Sequence, residues 1–175
     1  RISVTLGYPA LGMQAKLTEQ LSAFLGVEDI ELDIGFSATP GRGFGQVKNV
    51  VLISSGKGGV GKSTTAVNLA LALDAEGAKV GLLDADIYGP SQGMMLGVAE
   101  GRRPDIKDGK FFDPIRAHGI KAMSMSFMIT DKTPMVWRGP MASGALQQIL
   151  GQTLWGDLDY LIVDMPPGTG DIQLT

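Results

Sequence analysis

Residues 56–64, GKGGVGKST, have the glycine spacing and the closing Lys-Ser pair of a phosphate-binding loop. Glycines let successive backbone N–H groups turn toward one anion, and the N-terminus of a following helix adds partial positive charge. We expect Lys62 to reach the outer phosphates of a nucleotide and the Ser63 hydroxyl to ligate magnesium. The predicted nucleotide-binding residues are Gly56, Lys57, Gly58, Gly59, Val60, Gly61, Lys62, Ser63 and Thr64.

Phosphoryl transfer also requires a positioned metal and a group that orients water. Asp84 and Asp86 follow one apolar run, and Asp164 ends another. The carboxyl ends of parallel strands form the ligand-binding edge of an open α/β sheet, so these acids are expected near the loop. We predict that Ser63, Asp84 and Asp164 bind magnesium and that Asp86 orients the attacking water. A lone aspartate more often caps a turn, but joint placement on two strand ends favours the functional interpretation.

The elements that must position these residues are apolar runs alternating with helical patterns. Continuously apolar strands are typical of a parallel sheet covered on both faces, and the alternation predicts three layers. The fold class is therefore α/β, a three-layer P-loop NTPase with a mostly parallel sheet, of which this chain holds a part. Strands are predicted at 50–54, 80–84, 120–127 and 160–164, and helices at 62–76 and 143–154.

The first 40 residues have a different pattern. Residues 2–6 and 30–34 alternate as strands, and a helical spacing of apolar residues runs from 11 to 24 between them. Turn formers then cluster before the first continuous apolar strand. We predict part of a small α+β domain at 1–40, a linker at 41–47 and the nucleotide-binding domain at 48–175. The lack of an initiating methionine predicts a segment of a longer protein.

Composition limits the function classes. Hydrophobic residues make up 44% of the 175 and charged residues 19%, as in a globular protein. A net charge of -3 gives no support for a broad electrostatic grip on nucleic acid or acidic lipid, so neither is an expected partner. The chain has no cysteine, which excludes disulfides and thiolate cluster ligands within it. No apolar run approaches the ~20 residues of a membrane span, and a cytoplasmic protein is expected.

Two loops come after the acidic positions and leave alternatives open. Gly89-Pro90-Ser91 and the stretch 166–170, PPGTG, suit segments that change conformation with the γ-phosphate, but rigid turns explain them equally well. Trp137, in the sequence WRGP, is of a type enriched at interfaces and fits core packing as well.

The remaining candidate metal ligands favour structural roles. His118 is the only histidine, and we predict a loop or surface residue rather than a metal ligand. Three methionines alternate with serines, which predicts a half-buried strand rather than thioether ligation. These methionines are Met123, Met125 and Met128.

Four stretches together resemble the Mrp/ApbC family of ATPases, which carry iron-sulfur clusters. They are GKGGVGKST, LLDADIYGPS at 82–91, VWRGPM at 136–141 and DYLIVDMPPGTGDIQLT at 159–175. The family is similar to MinD, ParA and the nitrogenase iron protein in its deviant Walker A loop. The resemblance runs from about Val47 to the last residue. Residues 1–37 look like the back half of a small domain that often precedes the ATPase in bacterial members.

The resemblance implies weak, magnesium-dependent ATP hydrolysis by a homodimer. Lys57 matches the signature lysine, which in this class reaches across the dimer to the partner's phosphates, so the implied catalytic set is Lys57, Lys62 and Asp86. It also implies a [4Fe-4S] cluster in the full-length dimer only, held by a C-x-x-C pair beyond this chain. The implied partners are cluster-assembly scaffolds and apo iron-sulfur proteins that receive the cluster.

Two other functions remain as alternatives. A MinD- or ParA-like switch for spatial organisation or partitioning would share the loop and the dimer, but it needs a terminal amphipathic helix or a basic patch, and this sequence shows neither. A binding scaffold in which the nucleotide is structural would share the loop and lack turnover.

Overall fold

The computed structural model describes residues 1–37, 46–128 and 139–168. The first of these ranges forms a β-α-β unit. Strand β1 spans Ile2–Leu6, a 3-10 turn at Leu11–Met13 leads into helix α1 at Gln14–Leu25, and strand β2 spans Leu32–Phe36. The two strands pair in parallel, with Ile2 opposite Leu32 and Leu6 opposite Phe36. None of the residues of α1 is buried, so this helix adds little to a core.

The rest of the described chain forms a second, larger α/β unit. It contains strands β3 at Val47–Ile53 and β4 at Val80–Asp84, short strands β5 at Asp105–Lys107, β6 at Phe111–Asp113 and β7 at Ile115–Ala117, and strands β8 at Ile120–Ser124 and β9 at Leu158–Asp164. Its helices are α2 at Lys62–Ala75, α3 at Gln92–Met95 and α4 at Gly139–Gln152. The main sheet has the order β3-β9-β4-β8-β7, and only the β7–β8 pair is antiparallel.

The sheet is the middle of three layers, as the continuous apolar runs predict. Every residue of β4 is buried, and on β9 only Tyr160 is partly exposed. One buried cluster joins Leu83 and Leu161 to Leu146 of α4. A second joins the opposite face of the same strands to α2, whose Ala66 and Ala70 are small enough to let the helix lie close to the sheet. The predicted α/β class is confirmed.

One glycine in β4 is required by this packing. A Cβ built on Gly81 would lie 2.7 Å from Leu158 Cδ1 and 3.0 Å from Trp155 Cε3. Both neighbours are buried side chains of the α4-facing cluster, so neither has room to retreat. Gly81 therefore lets β9 and the residues before it pack directly against β4.

Several predicted boundaries were wrong. Strand β3 begins at Val47 rather than 50, β2 begins two residues later than predicted, and α4 begins at 139 rather than 143. The predicted strand 120–127 ends at Ser124 and continues as a 3-10 turn at Met125–Met128. Met123 and Met125 are fully buried rather than half-buried, since both join the α4-facing cluster.

Three short strands and α3 had no counterpart in the sequence predictions, because strands of three residues and a helix of four show no period. His118 lies in the turn between β7 and β8, and its Nε2 is 3.1 Å from the carbonyl oxygen of Leu96, so it has the loop position predicted for it. Within the described ranges, no helix has both the length and the apolar character needed to cross a membrane. Trp137 and residues 38–45 and 169–175 lie outside the described part of the chain.

Candidate functional site

The glycine-rich loop connects the end of β3 to the start of α2, as the sequence predicts. Gly59 and Gly61 have φ values of 74° and 88°, a region that side-chain-bearing residues rarely adopt. A Cβ built on Gly56, Gly58, Gly59 or Gly61 would meet no atom within 4 Å outside its chain neighbours. The loop therefore faces open space over its whole length, as a cradle for a ligand requires.

The start of α2 presents hydrogen-bond donors to this space. Thr65 N donates to Gly61 O at 2.9 Å and so begins the helical ladder. The backbone N–H groups of Lys62 and Ser63 have no acceptor in the described part of the chain. Free N–H groups and the helix dipole at such an N-terminus attract an anion.

The Lys62 side chain lies among oxygen atoms from three elements. Its Nζ is 2.5 Å from Asp164 Oδ1 and 3.8 Å from Asp86 Oδ2, and it donates to Ser63 Oγ at 3.2 Å. The Lys62 side chain is 7% exposed, and that of Asp164 is fully buried. Three other predicted site residues thus contact the ammonium group of Lys62.

Sheet register explains why the acids meet. Asp164 ends β9 and is paired with Ile53 of β3 on one side and Asp84 of β4 on the other. Both neighbouring strands run parallel to β9, so their carboxyl ends open on the same edge as the glycine-rich loop. Ala85 N continues the ladder by donating to Asp164 O at 2.9 Å. The predicted meeting of acids from two strand ends is present in the structure.

Asp84 is surrounded differently. Its carboxylate accepts backbone N–H groups from Asp86 at 3.2 Å, Ser91 at 2.9 Å and Gln92 at 3.0 Å. The Ser124 hydroxyl adds a fourth donor at 3.3 Å. These contacts close the loop that comes after β4. The hydrogen bonds make Asp84 a cap of this turn, and the direct ligation of magnesium stays a prediction.

Burial dominates the acidity of Asp84. It raises the pKa of this carboxyl to about 6, and the nearby Asp164 charge adds to the rise, while the hydrogen bonds from Gln92, Asp86 and Ser91 oppose it. The Asp84 carboxyl is therefore substantially ionised above about pH 6. Its ionised form is the one that the surrounding N–H groups stabilise.

Asp86 contacts both Asp84 and the Lys62 side chain that faces Asp164. Its backbone N–H caps Asp84, and its Oδ2 faces Lys62 at 3.8 Å. Its Oδ1 accepts the Gly89 N–H at 3.2 Å, which fixes the side chain at the start of the following turn. The residue is 8% exposed, so it is largely buried but keeps a small surface open to water.

Sequence reasoning missed Gln92. This residue is 1% exposed, and its Nε2 donates at 2.9 Å to both Ser63 O and Asp164 Oδ2. A glutamine four residues after a tyrosine and next to a Gly-Pro-Ser turn carries no pattern that marks it as functional. Only the fold places its amide against the phosphate-binding loop.

Lys57 lies apart from this cluster. Its side chain is exposed and has no ion-pair partner among the described residues, while its carbonyl oxygen accepts the Ser55 hydroxyl at 2.9 Å. The segment after β9 is attached to the same stretch of chain, since Gly168 N donates to Ser55 O at 2.9 Å. The loop after β9 is thus tied to the segment that leads into the glycine-rich loop.

The donors present fit a hard cation. In the described residues no group of three or more His, Cys, Asp or Glu side chains is arranged to hold a metal. Magnesium at nucleotide sites, however, takes one or two protein oxygens and completes its shell with phosphate and water. The Asp164 carboxylate and the Ser63 hydroxyl supply such oxygens, and the Lys62 ammonium that both contact shows that a positive charge suits the position.

The site consists of a strand, a glycine-rich loop and a helix, and the first residues of the helix contact an acid on a neighbouring parallel strand. This arrangement defines a P-loop NTPase. Residues 46–175 match the family model described as ParA, the NUBPL iron-transfer P-loop NTPases, and the chain belongs to this family. The match covers the whole of the larger unit and excludes the β1-α1-β2 unit.

Several curated relatives bear the name of a carrier protein. The iron-sulfur cluster carrier protein of Pseudomonas fragi is 63% identical over 156 residues, covering 86% of this chain and 54% of the relative. That of Escherichia coli K12 is 66% identical over 133 residues, covering 76% and 36%. That of Deinococcus radiodurans is 46% identical over 186 aligned positions, covering 100% and 51%. The chain thus spans about a third to a half of these relatives.

Solved structures agree on the fold. A nucleotide-binding protein from Archaeoglobus fulgidus in complex with ADP superimposes with a TM-score of 0.62 at 38% identity, covering 74% of this chain and 49% of that one. A cobyrinic acid a,c-diamide synthase from Mycobacterium smegmatis with an ATP analogue and magnesium gives 0.50 at 26%, covering 72% and 54%.

Proposed function

We propose that this protein binds ATP with magnesium, hydrolyses it slowly, and serves within a longer protein as a carrier that passes iron-sulfur clusters to apoproteins. The observation that carries the nucleotide part is the meeting of Lys62, Asp86 and Asp164 beside an open glycine-rich loop. The cluster-carrying part is supported by the matched iron-transfer family and by relatives of 46–66% identity that bear the carrier name.

The nucleotide phosphates would lie along residues 56–64, with free N–H groups of the α2 N-terminus and the Lys62 ammonium as their donors. Ser63 and Asp164 would hold magnesium, with Asp84 shaping the adjoining loop rather than contacting the ion. When bound, magnesium would neutralise phosphate charge. Asp86 is suited to orient water, since its carboxylate faces Lys62 and the residue keeps a small surface open to water.

Lys57 would act on a second subunit. Its exposed side chain, without a partner among the described residues, is available to a partner's phosphates. A cation delivered only in the closed dimer would stabilise the transition state there. We therefore propose a homodimer with a nucleotide in each subunit.

The cluster is cargo rather than a resident group of this segment. Because the chain has no cysteine, the thiolates that would hold a [4Fe-4S] cluster must come from other parts of the full-length protein. The proposed recipients are apo iron-sulfur proteins, and the proposed donors are cluster-assembly scaffolds.

Cluster transfer by the full-length protein tests this function. The protein is reconstituted anaerobically with iron and sulfide, its cluster absorbance is recorded, and it is mixed with apo-aconitase, whose activity reports transfer. Absorbance and restored aconitase activity are expected. A full-length protein that takes up no cluster would contradict the carrier function, and ATP-dependent binding to vesicles or DNA would then favour a MinD- or ParA-like switch.

The role of Lys57 is tested by Lys57→Ala, with the exposed Lys16→Ala as matched control. We expect Lys57→Ala to keep its affinity for a fluorescent ATP analogue and to lose about tenfold or more in ATP turnover, because only the charge supplied across the dimer is removed. Lys16→Ala should match wild type in both measurements. An unchanged rate in Lys57→Ala would refute the role in trans.

A further inference from the structure

Gln92 connects three elements of the site through one side chain and one backbone group. It begins α3, and its backbone N–H donates to Asp84 Oδ2 at 3.0 Å, at the end of β4. Its side-chain Nε2 reaches Ser63 O at the start of α2 and Asp164 Oδ2 at the end of β9. The loop after β4 is thereby coupled to the two oxygen donors proposed for magnesium.

The orientation of the Gln92 amide is fixed by its partners. A carbonyl oxygen and a carboxylate oxygen both accept hydrogen bonds, so the NH₂ group must face them and Oε1 must face away. This Oε1 is buried and has no donor among the described residues. The NH₂ group is therefore the part of the Gln92 amide that acts on the site, through its hydrogen bonds to Ser63 O and Asp164 Oδ2.

The two oxygens of Asp164 have different partners. Oδ2 accepts from Gln92, whereas Oδ1 contacts Lys62. If Lys62 turns to a phosphate, Oδ1 is released while the amide still holds Oδ2. Gln92 is thus the group that keeps the carboxylate oriented when its lysine partner leaves.

We propose that Gln92 is a positioning residue for magnesium: it holds the Asp164 carboxylate and the Ser63 backbone so that Oδ1 and the hydroxyl face the cation. This inference rests on the proposed function, because it concerns the same nucleotide site. It assigns to Gln92 control of metal affinity and not of nucleotide affinity, since its amide contacts the Asp164 carboxylate and the Ser63 carbonyl oxygen, neither of which is a proposed phosphate donor.

The test compares Gln92→Met with wild type in the full-length protein. Methionine has a similar length and flexibility but offers neither the amide donor nor the acceptor. Gln148→Met is the matched control, because Gln148 is exposed on α4 and its side chain bonds only Gln152 within the described residues. Affinity for a fluorescent ADP analogue is measured in EDTA and then over a series of free magnesium concentrations.

We expect Gln92→Met to bind the analogue in EDTA within twofold of wild type. The magnesium concentration for half-maximal effect should rise about tenfold, which corresponds to about 1.4 kcal/mol at 25 °C. Gln148→Met should behave as wild type in both measurements. A magnesium response within twofold of wild type in Gln92→Met would overturn the proposal, as would an equal loss of affinity with and without magnesium.

If Gln92→Met fails to fold, Gln92→Asn replaces it, because the shorter amide keeps the polarity but cannot span to both acceptors. A raised magnesium requirement in this variant supports the proposal, and a wild-type requirement overturns it. The proposed function fails separately, if wild type shows no magnesium-dependent nucleotide binding at all.

Discussion

Asp84 and Asp164 lie opposite each other on β4 and β9, and both side chains are fully buried. Around Asp84 are three backbone N–H groups and one hydroxyl, which together close a loop. Around Asp164 are an ammonium and a side-chain amide. Two identical residues at paired positions thus have different surroundings, one made of fixed dipoles and the other centred on a charge that can move.

The difference shows that the role of a strand-end acid depends on the loop into which its strand leads. Residues 86–92 turn back over Asp84 and donate to both of its oxygens, while the lysine at the start of α2 reaches Asp164 from another element. Backbone N–H groups cannot leave without unfolding the loop, but a lysine side chain needs only a rotamer change. The Asp164 end is therefore suited to ligand exchange and the Asp84 end to holding the loop in place.

The largest expected effect comes from removing the mobile charge at the Asp164 end. Lys62→Ala leaves two acids beside the loop with no cation from the protein and removes the side-chain donor for the phosphates. We expect ATP turnover to fall by about 100- to 1,000-fold, the usual cost of losing one transition-state donor. Steady-state phosphate release measures it. A rate within threefold of wild type would show that the charge at this end is dispensable.

The raised pKa of Asp84 should make the free energy of unfolding depend on pH. Because its pKa is raised from 3.8 to about 6, folded protein keeps a proton that the unfolded chain releases between about pH 4 and pH 6. The free energy of unfolding should therefore fall as pH rises through this window, by about 2 kcal/mol from this residue, at about 1.4 kcal/mol for each pKa unit.

Asp84→Asn removes this titration, so its stability should lack that decrease. Urea unfolding of wild type and variant at pH 4 and pH 6.5 measures the difference, and the exposed Asp29→Asn serves as control. If wild type and Asp84→Asn change equally between the two pH values, the buried carboxyl does not carry the linkage, and the contrast between the two strand ends would be lost.

A smaller effect is expected at Asp86, which touches both ends. Asp86→Asn keeps the backbone N–H that caps Asp84 but replaces the carboxylate facing Lys62 with an amide that cannot accept a proton. We expect turnover to drop about a hundredfold while affinity for an ATP analogue stays within threefold. Equal turnover in wild type and variant would mean that Asp86 only holds the loop after β4 in place and has no part in hydrolysis.

The sequence was sufficient for the parts of the site that are local or periodic. The glycine spacing of residues 56–64 predicts the loop, and the continuous apolar runs before Asp84 and Asp164 predict that both acids end parallel strands. The confirmed α/β class follows from the same alternation. None of these inferences needs knowledge of which side chain touches which.

The missed features depend on contacts between distant parts of the chain. The sequence favoured metal binding over a turn cap for Asp84, because nothing in its neighbourhood shows that the N–H groups of Ser91 and Gln92 fold back onto it. Gln92 was passed over because its partners are 29 and 72 residues away in the chain. The strand predicted at 120–127 ended early because Met125 and Phe127 of the 3-10 turn are buried while their neighbours are partly exposed, so the alternation typical of a strand continues past its end.

Because Lys62 contacts Asp164, a phosphate that binds Lys62 has to replace the Asp164 carboxylate as its partner. The lysine must give up a carboxylate at 2.5 Å before it can serve a phosphate, so the protein's own acid competes with every incoming anion. Observed affinity is then the difference between two strong interactions, and a phosphate that arrives without a cation leaves Asp164 uncompensated. We therefore expect the loop to prefer ligands that carry both charges together, that is, metal-loaded nucleotides over free ones.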